Sequence, residues 1–100
     1  GFGQTSYGSA KAGLISMAKS VALEGARFNI TANCVLIGIS ATDAYGKLPE
    51  PVREKVEKKT AIGRAATPQE IADAVAFSVS NAYMTGAIVN MMGGLDLFVF

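Results

Sequence analysis

Helix patterns alternate with short apolar strands along this chain, and the alternation restricts its possible folds more than any other feature. The predicted order is helix, strand, short helix, helix and strand, at about 5–27, 30–37, 51–59, 67–80 and 87–91. The strands are mostly apolar and lack a polar–apolar alternation, which is typical of parallel strands covered on both faces. Helices that alternate with such strands indicate an α/β fold with a parallel sheet.

Local signals mark the ends of these elements. Thr67 is a predicted N-cap, followed by Pro68 at the first helical position and Glu70 three residues after the cap, the pattern of a capping box. Thr5 or Ser6 is expected to cap the first helix in a similar way. Residues 25–29 are expected to end the first helix, and Gly38 is expected to end the first strand. The short helix is predicted to turn Val52 and Val56 inward. The Asn33 amide is predicted to hold a neighbouring loop by hydrogen bonds.

The apolar content is high for a chain of this size. Half of the 100 residues are hydrophobic and 17% are charged, whereas small domains have much surface to keep polar. Apolar residues cover more than one face of the first helix, which predicts burial on nearly all of its sides. We therefore expect this helix to contact another subunit or another part of a larger fold. The apolar tail at 95–100 predicts an intersubunit contact, with a short added strand as the alternative.

Composition also excludes several classes of function. The formal net charge is +1 and no Lys/Arg stripe appears, so we expect no nucleic-acid partner. Because the chain has no histidine and one cysteine, we expect no metal ion, no His-based triad and no intrachain disulfide. That cysteine, Cys34, is predicted to be a small buried hydrophobe. No apolar run reaches membrane-spanning length and no signal segment opens the chain, which favours a cytoplasmic protein with no membrane partner.

Tyr7 and Lys11 are the candidate catalytic residues. They lie four apart in the first predicted helix, a spacing that places two side chains on one face. A free phenol has a pKa of about 10, and a fixed positive charge nearby lowers it. The pair is therefore a candidate general acid/base for an alcohol or carbonyl oxygen. The alternative is two solvated side chains with no chemistry.

Several motifs occur together in one order along the chain. They are Tyr7-Gly8-Ser9-Ala10-Lys11-Ala12-Gly13-Leu14, Thr31–Val35 followed by Gly38 and Thr42, Gly63-Arg64 with Pro68-Gln69-Glu70-Ile71-Ala72, Thr85-Gly86 and Gly93-Gly94. In this order they resemble the short-chain dehydrogenase/reductase family, and most of all its 3-oxoacyl-(acyl-carrier-protein) reductase branch. The resemblance implies that residues 1–100 are the carboxy-terminal part of a single Rossmann-like domain with a doubly wound parallel sheet. The amino-terminal nucleotide-binding half would lie upstream.

The resemblance also implies an activity. It is reversible hydride transfer between NAD(P)H and a small-molecule or acyl-carrier-linked carbonyl, such as a 3-oxoacyl thioester of fatty acid biosynthesis. Tyr7 would move the proton on the substrate oxygen, and Lys11 would lower the pKa of Tyr7 and bind the ribose. Both residues would therefore also be cofactor-binding residues. The other implied cofactor-binding residues are Ile37, Gly38, Ser40 and Thr42, with Ile37 where the family usually has proline.

Further expectations concern the cofactor, the assembly and the segment itself. The cofactor would be NADP or NAD, with NADPH favoured by the resemblance, and 44–59 would be the substrate lid. The protein would be a homodimer or homotetramer in which the Tyr7 helix packs against its symmetry mate. We expect this segment alone to be inactive. The alternative function is a non-catalytic assembly module in which Tyr7 and Lys11 have no role.

Overall fold

The computed structural model describes the backbone of residues 2–95 and the side chains of residues 8–95. The elements are α1 (Phe2–Gly25), β1 (Cys34–Ile37), α2 (Asp43–Gly46), α3 (Glu50–Glu57), α4 (Pro68–Ser80) and β2 (Ile88–Met91), with a 3₁₀ turn at Ala26–Phe28. The two strands pair in a small parallel sheet, so the α/β class is confirmed. No helix within 2–95 is long and apolar enough to cross a bilayer.

The described chain divides into two compact units. The first contains 2–35 and 77–89, and the second contains 36–76 and 90–95. In the first unit, Ala22 and Gly25 of α1 are buried, together with Ser78. In the second, the buried residues are Leu36, Thr60, Ala65 and Met92.

Helix α1 ends as predicted but starts earlier. After Gly25 the chain tightens into the 3₁₀ turn, and Asn29 adopts the left-handed conformation with a φ of 59°. The Ile30 N–H then donates to the Gly25 carbonyl at 3.1 Å. At the other end the helix begins at Phe2, so the predicted capping role of Thr5 or Ser6 is wrong. Both residue types are also tolerated inside helices, and here the helix continues through them.

The burial predicted for α1 is not supplied by the described residues. Leu14, Met17 and Val21 are 50%, 58% and 44% exposed, and Leu23 is 82% exposed. The first three follow the spacing of one helix face. Helix α1 therefore presents an apolar stripe at these three positions.

Asn33 has the predicted structural role. Its Nδ2 donates to the Met84 carbonyl and its Oδ1 accepts the Ala87 N–H, both at 3.1 Å. The Thr85 side chain likewise accepts the Ala32 N–H at 3.2 Å. Side chains thus satisfy these backbone groups, and one backbone bond, from the Gly86 N–H to the Ala32 carbonyl at 2.7 Å, precedes the ladder that begins with the Cys34 N–H donating to Ala87 at 2.9 Å. For this reason β1 is shorter than the predicted strand at 30–37, and Cys34 is half-buried rather than buried.

In the second unit the backbone packs closely around Gly38. Its N–H donates to the Met91 carbonyl at 3.0 Å, and a Cβ at Gly38 would lie 3.1 Å from the Met92 carbonyl oxygen. This approach explains why glycine ends β1, as predicted.

Helix α3 turns a different face inward from the one predicted. Val52 is 44% exposed, so its inward placement is wrong, whereas Val56 is half-buried. The half-buried residues of α3 are Arg53, Val56 and Glu57, which share one face at the i, i+3, i+4 spacing. The amphipathic pattern failed here because Arg53 and Glu57 share the inner face with Val56, and Glu57 accepts a hydrogen bond from Tyr45.

The capping box at the start of α4 is confirmed. The Glu70 N–H donates to Thr67 Oγ1 at 3.1 Å, and the Thr67 N–H donates to Glu70 Oε1 at 2.9 Å. Arg64 adds two parallel bonds to the same carboxylate, at 2.7 and 2.8 Å. The Arg64 guanidinium and the Thr67 N–H lower the pKa of Glu70 to about 2.

Glu70 is expected to make folding stability depend on acid pH. Because its pKa is lower in the folded chain, its contribution is complete above the ordinary value of 4.5 and is lost as pH falls towards 2. Glu70→Gln should therefore flatten the fall of the thermal unfolding midpoint between about pH 4.5 and 2. Since both side chains are about half exposed, high salt should reduce the effect. The matched control is the exposed Glu54→Gln; equal pH profiles for both variants would contradict this prediction.

Candidate active site

Tyr7 and Lys11 both lie within α1, which is continuous across them. Helical backbone at both positions gives the four-residue spacing that puts them on one face. The Lys11 side chain is half-buried and takes part in no ion pair among the described residues. The side chain of Tyr7 lies outside the described residues, so its role stays a prediction.

Four of the predicted cofactor-binding residues lie in the second unit, where β1 ends. Ile37 is the last residue of β1 and Gly38 follows it. Ser40 then forms a single parallel bridge to Ala66, and Thr42 is the N-cap of α2. The carboxyl end of a parallel strand is where open α/β sheets bind their ligands. Lys11 belongs to the first unit.

Backbone bonds hold the turn between Gly38 and Thr42. The Ala66 N–H donates to the Ile39 carbonyl, and the Ala41 N–H donates to the Ala66 carbonyl, both at 2.8 Å. The Thr42 N–H donates to the Ser40 carbonyl at 2.9 Å. A fixed turn therefore follows Ile37 even though the proline typical of the family is replaced.

This turn presents hydrogen-bond donors that have no partner in the described chain. The Ile39 and Ser40 N–H groups donate to no described acceptor. Thr42 Oγ1 accepts the Tyr45 N–H at 3.2 Å, which leaves the hydroxyl hydrogen free to donate outward. Such a set suits a ligand rich in acceptor oxygens, and the carboxamide and pyrophosphate of a nicotinamide dinucleotide have that chemistry. The residues present fit the cofactor.

A recess of the second unit with two charged residues in its lining does not include these four residues. It has a volume of about 230 Å³ and is lined by Ile39, Thr60, Arg64, Glu70, Met92 and neighbouring residues. Arg64 and Glu70 are paired with each other, and Thr60 Oγ1 is bonded to the Glu57 carbonyl and the Gly63 N–H. Among the described residues that line this recess, the charged side chains are paired with each other, so neither indicates a bound ligand.

One polar contact near the turn had no signal in the sequence. The Tyr45 hydroxyl, on α2, donates to Glu57 Oε1 at the end of α3. The two residues are twelve apart and lie on different helices, so no local spacing rule indicates the contact. The Glu57 carboxylate disfavours a phenolate beside it and raises the pKa of Tyr45 above its ordinary value. Tyr45 is therefore not a candidate general base, because a phenol that acts as a base near neutral pH needs a lowered pKa.

Comparisons with known proteins support the family resemblance that the order of the motifs indicates. A family described as enoyl-(acyl carrier protein) reductase matches residues 2–96. Similar curated proteins include a (3R)-3-hydroxyacyl-CoA dehydrogenase of Mus musculus and an acetoacetyl-CoA reductase of Synechocystis, each 43% identical. A 3-oxoacyl-(acyl-carrier-protein) reductase of Rickettsia felis is 40% identical. These alignments cover 93%, 91% and 93% of this chain and 37%, 39% and 39% of the relatives.

A comparison of the fold with solved structures agrees with the sequence comparisons. A crystal structure of a short chain dehydrogenase family protein from Francisella tularensis matches with a TM-score of 0.79 and 31% identity. The match covers 91% of this chain and 43% of that one. The family match spans all of the described residues, and the structural match covers 91% of the chain. The chain belongs to the short-chain dehydrogenase/reductase family.

Proposed function

We propose that this chain is the part of an NAD(P)-dependent oxidoreductase that carries the proton-transfer pair and one side of the nicotinamide site. The observation that carries the proposal is the continuous helix α1, which holds Tyr7 and Lys11 at a four-residue spacing. The donor-rich turn at Ser40 and Thr42 supports it independently. Residues 1–100 would form part of one nucleotide-binding domain.

In the proposed reaction this chain moves a proton. NAD(P)H, when bound, would supply the hydride for the carbonyl carbon of the substrate. Tyr7 donates its phenolic proton to the carbonyl oxygen, and it accepts the proton back when an alcohol is oxidised. The Lys11 ammonium lowers the pKa of that phenol and hydrogen-bonds the ribose. Ile37, Gly38, Ser40 and Thr42 bind the nicotinamide end.

The proposed substrate is a 3-oxoacyl thioester, linked to an acyl carrier or to coenzyme A. The relatives named above act, by their names, on hydroxyacyl-CoA, acetoacetyl-CoA or 3-oxoacyl-(acyl-carrier-protein). We propose NADPH as the cofactor used, a cytoplasmic location, and a dimer or tetramer. The apolar stripe Leu14, Met17 and Val21 of α1 supports assembly, because it is exposed in the described chain.

The test starts with the intact mass of the purified protein and a titration of that same sample with NADPH and, separately, NADH. For a protein with a mass well above the 10.3 kDa of residues 1–100, we expect a change in nicotinamide fluorescence on binding, tighter binding of NADPH than of NADH, and reduction of acetoacetyl-CoA as the probe substrate. Binding of neither cofactor would overturn the proposal for this protein.

The second candidate is a non-catalytic assembly module, favoured by the same exposed stripe on α1. It predicts a stable oligomer that binds no dinucleotide. The cofactor titration separates the two functions, and sedimentation of the same sample tests the assembly that both of them predict.

A further inference from the structure

One side-chain hydrogen bond among the described residues ties helix α2 to another helix of the second unit. It has only four residues, Asp43–Gly46, and an isolated helix of that length is unstable in water. Its other three residues are exposed, whereas Tyr45 is half-buried. Among the described residues, the bond from the Tyr45 hydroxyl to Glu57 is the side-chain hydrogen bond that ties α2 to another helix. Without it, α2 keeps only its backbone bonds and its cap.

The partner of Tyr45 is firmly placed. Glu57 is half-buried at the end of α3, and its carbonyl accepts a bond from Thr60 Oγ1 at 2.9 Å. Thr60 is 6% exposed and also accepts the Gly63 N–H at 2.8 Å. The end of α3 is thus fixed to the buried part of the unit.

The protonated phenol is the form that this contact needs. An ionised Tyr45 would face the Glu57 carboxylate, which raises the pKa of Tyr45, while the Arg53 guanidinium on the same face of α3 acts in the opposite direction. A phenol donating to a carboxylate is a charge-assisted hydrogen bond, stronger than one between neutral groups.

The contact bears on Thr42 because Thr42 is the N-cap of α2. Its Oγ1 accepts the Tyr45 N–H, so the direction of its free hydroxyl hydrogen depends on where Tyr45 lies. Ahead of Thr42 the chain is fixed by the bridge of Ser40 to Ala66. The turn is therefore held by backbone bonds up to Thr42, and the side chain of Tyr45 ties the helix that follows Thr42 to α3.

We propose that the Tyr45–Glu57 hydrogen bond is a latch that holds α2 and thereby positions the Thr42 hydroxyl for the cofactor. The inference rests on the proposed function for its effect on the cofactor. Tyr45 and Glu57 are positioning residues: they act through Thr42.

The experiment is Tyr45→Phe in the full protein, with Tyr83→Phe as the matched control because Tyr83 is 99% exposed. Two readouts are needed: the Kd for NADPH from fluorescence titration, and hydrogen exchange of the backbone amides in 42–48. We expect Tyr45→Phe to raise the Kd about tenfold, the effect of losing one hydrogen bond to a charged group. Exchange in 42–48 should accelerate by a similar factor, with α4 unchanged. At saturating cofactor kcat should stay within about twofold, since α2 supplies no proton.

Variants of the acceptor, Glu57, distinguish the loss of this one hydrogen bond from a general loosening of the second unit. Glu57→Gln keeps an acceptor oxygen and should retain most of the affinity, whereas Glu57→Ala should match Tyr45→Phe. The Tyr45→Phe/Glu57→Ala double variant should be no worse than either single one. Equal Kd and equal exchange for Tyr45→Phe and Tyr83→Phe would overturn the latch. If the unaltered protein binds neither NADPH nor NADH, the proposed function fails, and exchange in 42–48 alone decides whether the latch exists.

Discussion

Tyr7→Phe is expected to lower turnover by about 10²–10⁴-fold, the usual contribution of a positioned general acid or base. The phenyl ring keeps the size of the side chain and removes only the proton that the substrate oxygen needs. The Kd for NADPH should therefore stay within about twofold. Steady-state reduction of acetoacetyl-CoA and a fluorescence titration of the same preparation measure the two quantities.

Two further variants control this result. Tyr83→Phe removes a hydroxyl from a side chain that is 99% exposed, and it should leave turnover unchanged. Lys11→Met removes the charge proposed to lower the pKa of Tyr7. In the alcohol-oxidation direction Tyr7 must be a phenolate, so the rising limb of the pH–rate profile should move to higher pH in Lys11→Met. Tyr7→Phe activity above a third of the unaltered value would rule out Tyr7 as the acid/base.

Gly94→Ala is expected to destabilise the fold by about 2–4 kcal/mol, for two separable reasons. Gly94 has a φ of +84°, a conformation that costs an alanine about 1–2 kcal/mol. A Cβ at Gly94 would also overlap the Cβ of Ala61 and lie 3.1 Å from the Ala61 nitrogen. Urea denaturation of the protein carrying this change measures the loss.

Gly63→Ala separates the two causes. Gly63 has a φ of +86° but no atom within 4 Å of its added Cβ, so it should lose only the conformational part. The double change Gly94→Ala/Ala61→Gly removes the overlap of the two Cβ atoms and should recover part of the loss, because the contact with the Ala61 nitrogen remains. If Gly94→Ala and Gly63→Ala have the same unfolding free energy, steric overlap at Ala61 is not a determinant of stability.

Features set by short-range chemistry could be predicted from the sequence. The capping box needs only Thr67 and Glu70 three residues apart, and both of its bonds form. Asn33 was predicted to tie down a loop because a polar amide in an apolar strand needs partners, and it bridges Met84 and Ala87. In both cases the residue type carries the information about its own partner.

Features set by tertiary contacts could not be predicted in this way. Propensity extends the first strand back to residue 30, but the Thr85 and Asn33 side chains take up backbone groups before the ladder starts at Cys34. Helix periodicity predicted that Val52 faces inward, but Val52 is 44% exposed. Glu57 lies on the inner face instead, where it accepts a hydrogen bond from Tyr45. The order of family motifs indicated the cofactor turn, but no sequence signal indicated what holds it.

The N-cap position at Thr42 divides the helix-capping residues into two groups. Serine, threonine, aspartate and asparagine all supply an oxygen for the first turn of a helix, so each would keep α2 in place. Only the two hydroxyl residues accept that bond and still have a proton to give from the same atom. Aspartate would leave the backbone path unchanged and turn the adjoining surface from a donor into an anion. At this one position, the requirements of the helix allow four residue types, and the proposed requirement of the ligand reduces them to two.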